Sequence, residues 1–444
     1  MPPMVEATPA RARGQARRRV PPFLVIAVAY LALQSQYVFL TPFISGPDEP
    51  AHLAYVASVA SRREIPEMAP LRYESGRRIA TPQAQHPPLY YVVASPLYLL
   101  LAPFGRHAVW VGLRLFSVLL GLVILWLCWR TATLIWARDH PYAPGMVGFI
   151  ALLPTFLYST STTNNEPLAA AFGAAAFYAM ARLLAGPLSE RSLLLLGAAL
   201  GLGALTKATT LGWWPAAAWT LLVAGRAEGV TGMARRRGAF LVVLPALLIP
   251  AAWWIRCSNL YGTPMPRAFS APIWGLGVPF TLGHVGILIH LAVQILIGGY
   301  VPFFLWGSAL REVPAFLGLV PHSGALLAGI VRWLSPEGSA SGTPARPLAV
   351  AAILALAACI LGIYQQTFFV DLAVGLSPGR YLFTYLPALA YLVSGGVIGL
   401  FALPRRAVAG YAGLGAILVG LNIASLVLIR AFFAAHPPAG ALIP

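Results

Sequence analysis

The sequence predicts an all-α polytopic membrane protein, and three observations predict it. Of 444 residues, 59% are hydrophobic and only 10% are charged, whereas soluble domains carry about 25% charged residues. The apolar residues gather in long runs with no polar stretch between them long enough for a soluble domain. The arginines fall in alternate short loops, as they do in proteins that cross a bilayer repeatedly. A soluble core does not hide this much apolar surface, and the mean hydropathy is +0.75.

The elements follow in order. A basic tail at 1–20, containing "RARGQARRRV", precedes an apolar run at 21–43 with no clear small-residue cleavage site. It reads as a cytoplasmic flank followed by a retained first helix. Further apolar segments lie near 89–104, 108–129, 143–162, 166–185, 191–208, 210–225, 238–256, 283–304, 314–334, 347–370, 381–403 and 407–432. A spanning helix needs about 20 residues to cross the hydrocarbon core. Segment 89–104 is short and carries Pro96, and 283–304 carries His284, His290 and Gln294. If these two lie in the interface or re-enter, the cytoplasm receives the N-terminal arginines and Arg130, Arg138, Arg182, Arg191, Arg226, Arg235, Arg236, Arg237, Arg332, Arg346, Arg405 and Arg406. If both span, the group from Arg130 to Arg237 moves outside, against the positive-inside rule. The expectation is one transmembrane domain over 21–434 with about 11 helices (range 11–13). Residues 45–107 form a first external loop that is partly helical, 257–313 a second large external loop, and 435–444 a short tail.

Charge and cysteine usage exclude several classes. The formal charge of +17 suits contact with anionic headgroups. Scattered arginines without an extended basic domain do not suit nucleic acid. Cys128, Cys257 and Cys359 form no CxxC or Cys/His pattern, so neither a disulfide framework nor a zinc site is indicated. No P-loop, GxSxG or HExxH occurs, and no GxGxxG follows a strand.

The polar residues that remain are few. In "GPDEPAHLAYV", Pro50 suits a first helical turn, and Asp48 suits the N-cap. Asp48, Glu49 and His52 then share one helix face, either as a reactive cluster or as a capped helix with its acids in water. In "STSTTNNEPLAAAF", Glu166 opens another helix, where an acid is favoured by the dipole and an ionisable group at the membrane boundary is a functional candidate. Lys207, the only lysine, lies between two apolar runs and either snorkels to headgroups or meets a lipid-linked phosphate. Arg256 follows two tryptophans in "AAWWIRCSNLYGTP", and Arg380 and Tyr381 open a helix in "SPGRYLFTYLP". Both arginines suit either headgroups or a phosphate clamp. His86 begins the short apolar segment in "QAQHPPLYYVV".

In combination these motifs resemble the GT-C superfamily of membrane glycosyltransferases, which use polyprenyl-phosphate sugars. The nearest likeness is to an uncharacterised bacterial subgroup related to protein O-mannosyltransferases and lipid A aminoarabinose transferases. "PDEPAHLAY" resembles the acidic motif of the first external loop, and "QHPPLYYVVASPL" the Pro-Pro-Leu motif that ends it. "NNEPLAAAF" resembles the second acidic site, "GLGALTK" a recurring Thr-Lys turn, and "WWIRCSNLYGTPM" and "SPGRYLFTYLPAL" later motifs of the subgroup. Two departures stand out: "NNE" lacks the leading Asp of the second site, and "CSN" interrupts the usual Arg-Asn.

The resemblance implies a GT-C-like bundle and an inverting transfer of a hexosyl or pentosyl group. The donor would be a polyprenyl-phosphate sugar, and the acceptor a glycan, lipid or protein of the cell envelope, on the external face of a bacterial plasma membrane. Asp48, Glu49 and Glu166 are then the catalytic acids, with Asp48 as general base and its neighbours raising its proton affinity. His52, His86, Lys207, Arg256 and Arg380 are the donor-phosphate ligands, and Tyr55, Trp254, Tyr261 and Tyr381 line the groove. Either no cofactor is required, or a divalent Mg or Mn ion bridges Asp48 and Glu166. A transporter or flippase of lipid-linked substrates, and a non-catalytic scaffold of the same fold, are the alternatives.

Overall fold

The computed structural model describes residues 21–43, 46, 48–68, 73–74, 77–78, 83–136, 140–226, 229–266, 313–335, 345–370, 379–401 and 404–435. The expected segment 283–304, most of the second external loop, the tail 1–20 and the end beyond 435 lie outside them. The chain is a helical bundle: α1 (Pro22–Leu40), α2 (Glu49–Ala57), α3 (Leu89–Leu101), α4 (Arg106–Ile135), α5 (Tyr142–Ala151), α6 (Pro154–Thr160), α7 (Glu166–Ala185), α8 (Glu190–Ala204), α9 (Trp213–Ala224), α10 (Gly232–Tyr261), α11 (Val313–Leu334), α12 (Ala345–Val370), α13 (Leu386–Leu400) and α14 (Pro404–Ala435). Among the described residues the only strand pairing is a two-residue ladder, Tyr73–Glu74 with Arg77–Arg78.

Local chemistry sets the ends of these helices. Pro22, Pro50, Pro154 and Pro167 each sit in a first turn, where a missing N–H costs nothing. Ser189 caps α8 by accepting from the Ser192 amide at 3.2 Å, and Thr231 caps α10 through the Ala234 amide at 3.2 Å. Gly262 ends α10 at φ 70°, a left-handed conformation that a glycine adopts without a steric penalty.

Among the described residues, seven helices are long and apolar enough to cross a membrane, and eight if α5 and α6 are one broken span. The expected eleven would add α8, α9 and α11, of which α8 has 15 residues and α9 has 12. Helix α3, at 13 residues, is shorter than the about 20 that a span requires.

The expected continuous segment 143–162 is in fact two helices bent by 59°. Pro154 is the reason: it brings no N–H, and Leu153 before it is extended, with ψ 117°. In a bilayer the freed carbonyls need other donors. Asn422 of α14 donates Nδ2 to the Leu152 carbonyl at 2.8 Å, and its Oδ1 accepts from the Tyr37 hydroxyl at 2.8 Å. Gln34 donates to the Leu157 carbonyl at 3.0 Å, and the Tyr30 hydroxyl bonds Thr160 Oγ1 at 3.1 Å. Tyr30, Gln34 and Tyr37 lie on one stripe of α1, so a polar seam runs down an otherwise apolar contact. Elsewhere bare backbones meet: a Cβ on Gly396 would stand 1.7 Å from the Ala325 carbonyl oxygen, which only glycine permits at this α11–α13 crossing.

The two ends of the bundle differ in chemistry. At one end lie Arg130, Arg182, Arg191, Arg226, Arg235, Arg236 and Arg237, the last paired with Glu190 at 2.6 Å. At the other end lie the C-terminus of α1 and the N-termini of α2, α4 and α7. Replacing Asn422 by Leu should remove the donor to the Leu152 carbonyl and the Oδ1 acceptor of the Tyr37 hydroxyl, and cost about 1–3 kcal/mol. Thermal unfolding of the purified chain in detergent measures this, and an unchanged transition contradicts the role of the seam.

Candidate active site

The adjacent acids Asp48 and Glu49 have opposite fates. Asp48 takes a left-handed conformation, φ 56° and ψ 8°, which Asp tolerates better than most residues. Its side chain is exposed and makes no capping bond to α2, contrary to the N-cap expectation. Glu49, the next residue, is only 1% exposed. Its Oε1 accepts from Arg114 Nε at 2.9 Å and from the Thr163 amide at 3.0 Å. Its Oε2 accepts from Arg114 Nη2 at 2.8 Å and from the Gly46 amide at 3.2 Å.

Arg114, fully buried in α4, is the residue that the sequence reading missed. Besides the fork to Glu49, Nη1 donates to the Val38 and Thr41 carbonyls at 2.9 and 2.8 Å, and Nη2 to Pro42 at 2.8 Å. A guanidinium has five N–H groups, and all five are matched here. The cation also closes the C-terminus of α1, where exposed carbonyls favour positive charge. An arginine inside the apolar run 108–129 was the available signal, because a charge at that depth requires a partner.

Glu166 sits behind the same wall. The turn 161–165 is polar, "STTNN", yet every residue in it is buried. Asn164 organises it, accepting from the Glu166 amide at 2.9 Å and donating to the Ser159 and Thr162 carbonyls at 2.8 and 3.2 Å. Glu166 Oε1 accepts from Lys207 Nζ at 2.9 Å, and Oε2 from the Ser159 hydroxyl at 3.1 Å. Lys207 is 7% exposed, so the chain's only lysine is a buried ion-pair partner and does not snorkel. Glu49 and Glu166, the acids expected to act on Asp48, each carry their own cation within 3 Å.

An aromatic column rises beside Asp48. His52 Nδ1 and the Tyr91 hydroxyl share a hydrogen bond of 2.9 Å, and both residues are buried. His86 lies nearly parallel to His52 at 5.9 Å, and Tyr55 stacks on Tyr91 at 3.6 Å. Burial, then the neighbouring phenols Tyr55 and Tyr90 and the Asp48 carboxylate, push the Tyr91 phenol well above its ordinary range. Burial raises the Tyr55 phenol as well, and the positive charge of Arg256 partly offsets it.

Arg256 and Tyr261, at the end of α10, hold the chain that follows α2. Arg256 Nη2 donates to the Ile65 carbonyl at 3.1 Å and stands 3.9 Å from Glu67, while Nη1 is buried without a hydrogen-bond partner. The Tyr261 hydroxyl accepts from the Met68 amide at 3.1 Å. Trp254 is half-buried against Trp214. Arg380 and Tyr381 belong to a 3-10 turn, Gly379–Tyr385, that leads into α13; their side chains lie outside the described residues. That turn is tied to the Lys207 region, because Trp213 donates to the Thr384 carbonyl at 3.0 Å and Tyr385 to the Thr209 carbonyl. A Cβ on Gly173 of α7 would stand 2.1 Å from the Thr384 oxygen, so the turn seats directly on α7.

The arrangement therefore gathers Asp48, Glu49, His52, Tyr55, His86, Glu166, Lys207, Arg256 and Tyr261 at one end of the bundle. Among the described residues no group of three His, Cys, Asp or Glu side chains is placed to hold a metal ion. A divalent ion bridging Asp48 and Glu166 does not fit this donor set, because Glu166 is already neutralised by Lys207 and bonded by Ser159.

Comparison with known proteins bears on the fold. A family model described as dolichyl-phosphate-mannose-protein mannosyltransferase matches residues 85–255. No curated protein matches the chain. ArnT from Cupriavidus metallidurans, solved bound to undecaprenyl phosphate, is similar with a TM-score of 0.58 at 15% identity, over 94% of this chain and 79% of that one. The archaeal oligosaccharyltransferase AglB from Archaeoglobus fulgidus, solved with an inhibitory peptide and a dolichol-phosphate, is similar with a TM-score of 0.54 at 11% identity, over 91% of this chain and 56% of that one. The chain spans about half the length of that archaeal enzyme. What the comparisons and the helical bundle establish together is the fold: this is a multi-pass membrane protein with the GT-C architecture.

Proposed function

We propose that the chain is a glycosyltransferase that moves a sugar from a polyprenyl-phosphate donor to a cell-envelope acceptor, with Asp48 as the general base. One observation carries the reading. Of the three acids in the two acidic motifs, Glu49 and Glu166 are buried and paired with Arg114 and Lys207, whereas Asp48 is exposed. A base that meets an incoming hydroxyl needs that exposure.

In this reading the acceptor hydroxyl loses its proton to Asp48 while its oxygen bonds the anomeric carbon. The bond from that carbon to the phosphate oxygen breaks, and the polyprenyl phosphate leaves with the electron pair, so the anomeric centre inverts. Cations receive the developing charge. Arg256 is the best placed of the described ones, because Nη1 has no protein partner. Arg380, on the turn that leads into α13, and His86, whose ring lies nearly parallel to that of His52, are the further proposed phosphate ligands. His52 holds the column through Tyr91, and Lys207 acts at one remove, by neutralising Glu166. Tyr55, Trp254, Tyr261 and Tyr381 border the donor groove.

The similar proteins support a lipid-phosphate donor, since the ArnT and AglB structures hold undecaprenyl phosphate and dolichol-phosphate respectively. The arginines at the opposite end support a cytoplasmic N-terminus and a site on the external face of a bacterial plasma membrane.

The test is incubation of the purified chain with a panel of undecaprenyl-phosphate sugars and a cell-envelope extract, following release of undecaprenyl phosphate. Asp48→Asn, which keeps the left-handed backbone preference, should abolish release while leaving expression and insertion intact; release near the wild-type rate removes the base assignment. Arg380→Ala should weaken donor use, seen as a raised donor KM or a lowered rate. Lys207→Met should leave Glu166 buried and uncompensated and cost about 3–5 kcal/mol, and adding Glu166→Leu should recover most of that. Thermal unfolding of single and double variants decides it: equal losses in both would show that the pair is not coupled.

A further inference from the structure

We propose that Arg114 is a positioning residue for the transfer: through Glu49 it fixes the direction of the Asp48 carboxylate. The inference rests on the proposed role of Asp48. Arg114 and Glu49 do not face the acceptor themselves, because both are buried, at 0% and 1% exposure. They act through the backbone that joins Glu49 to Asp48.

Three distant stretches of chain meet on this one ion pair. The Val38, Thr41 and Pro42 carbonyls bind the guanidinium, Gly46 and Glu49 close the turn around Asp48, and Thr163 belongs to the turn that leads to Glu166. The Glu49 amide also donates back to the Gly46 carbonyl at 3.1 Å, so the turn 46–49 is held from both sides. Asp48 lies inside that turn at φ 56°, a conformation uncommon for residues other than glycine, and one that persists where its surroundings over-determine it.

Stability alone is a weak reason for such a pair. Replacing a buried ion pair by apolar groups of similar volume is often neutral or favourable. What a forked guanidinium adds is orientation, since two parallel bonds fix the plane of the carboxylate and hence the path of the chain beside it. There is also no room for the turn to shift: a Cβ on Gly46 would stand 2.7 Å from Thr162 Cγ2 and 3.2 Å from Glu49 Oε2. A base displaced by about 1 Å loses about 100-fold in rate without losing substrate affinity.

The test uses the full chain in detergent, with the undecaprenyl-phosphate sugar that the wild type consumes, and the variants Glu49→Gln and Arg114→Lys. Glu49→Gln keeps the shape of the side chain and removes one arm of the fork. Arg114→Lys keeps the charge but replaces five fixed donors by three. In both, kcat should fall about 100-fold, while donor KM stays within about threefold; the weakened buried pair lowers the melting temperature, so both variants are assayed well below their own unfolding transitions. Hydrogen exchange in Glu49→Gln should be faster at the Gly46 and Thr163 amides, which bond Glu49. The proposal is overturned if a folded variant retains kcat within about threefold of the wild type, if those amides exchange as before, or if neither variant folds, which would make the pair purely structural. Activity of Asp48→Asn separates the two levels. If that variant is active, the reading of Asp48 as base falls; if it is inactive while the pair variants run at full rate, only the positioning role falls.

Discussion

A single buried guanidinium organises the candidate site. Arg114 enters a low-dielectric interior where an unpaired cation is very costly, and the chain meets that demand with one carboxylate and three carbonyls. The consequence is geometric. Helix α1 must end where its carbonyls reach the cation, helix α2 must begin where Glu49 does, and the turn before α7 must come close enough to place the Thr163 amide on the same carboxylate. Exposure of Asp48 then follows from the sequence order alone, because a residue adjacent to a locked inward side chain, in a left-handed turn, is directed away from it.

The same logic recurs at Glu166 and Lys207. Two acids that composition marks as candidates for chemistry are held by cations from other elements, Arg114 of α4 and Lys207 of the turn after α8, which leaves Asp48 with a different environment. Carboxylates of one kind take different roles when their surroundings differ, and here burial and pairing sort them. The polar seam of Tyr30, Gln34, Tyr37 and Asn422 plays a related part away from the site. It supplies partners for the backbone around a proline break, so that the buried polar turn 161–165 can approach the end of the bundle.

Much of this is readable in the sequence for a physical reason. In a chain with so few charges, each acid or lysine between apolar runs must have a purpose, so Asp48, Glu49, Glu166 and Lys207 were identifiable as a set. Helix direction, counted from arginines in loops, also brings them to one end. What spacing does not reveal is pairing. Glu49 and Arg114 are 65 positions apart and Glu166 and Lys207 are 41, both far beyond local periodicity, and only packing of separate elements joins them. The break at Pro154 was visible as a residue but masked by the apolar run around it, since hydropathy does not register a lost hydrogen bond. The lengths of α8 and α9 were overestimated for the same reason: apolar composition continues through turns that the backbone makes.

The dihedral angles of Asp48 have an implication for how such a chain ages. A left-handed position accepts glycine, asparagine and aspartate with little penalty and disfavours most other residues. Two of those three lack an ionisable group. A lineage that exchanges this aspartate for either one keeps every helix and buried ion pair in place, and differs from a chain that carries the carboxylate in almost nothing at the level of overall architecture.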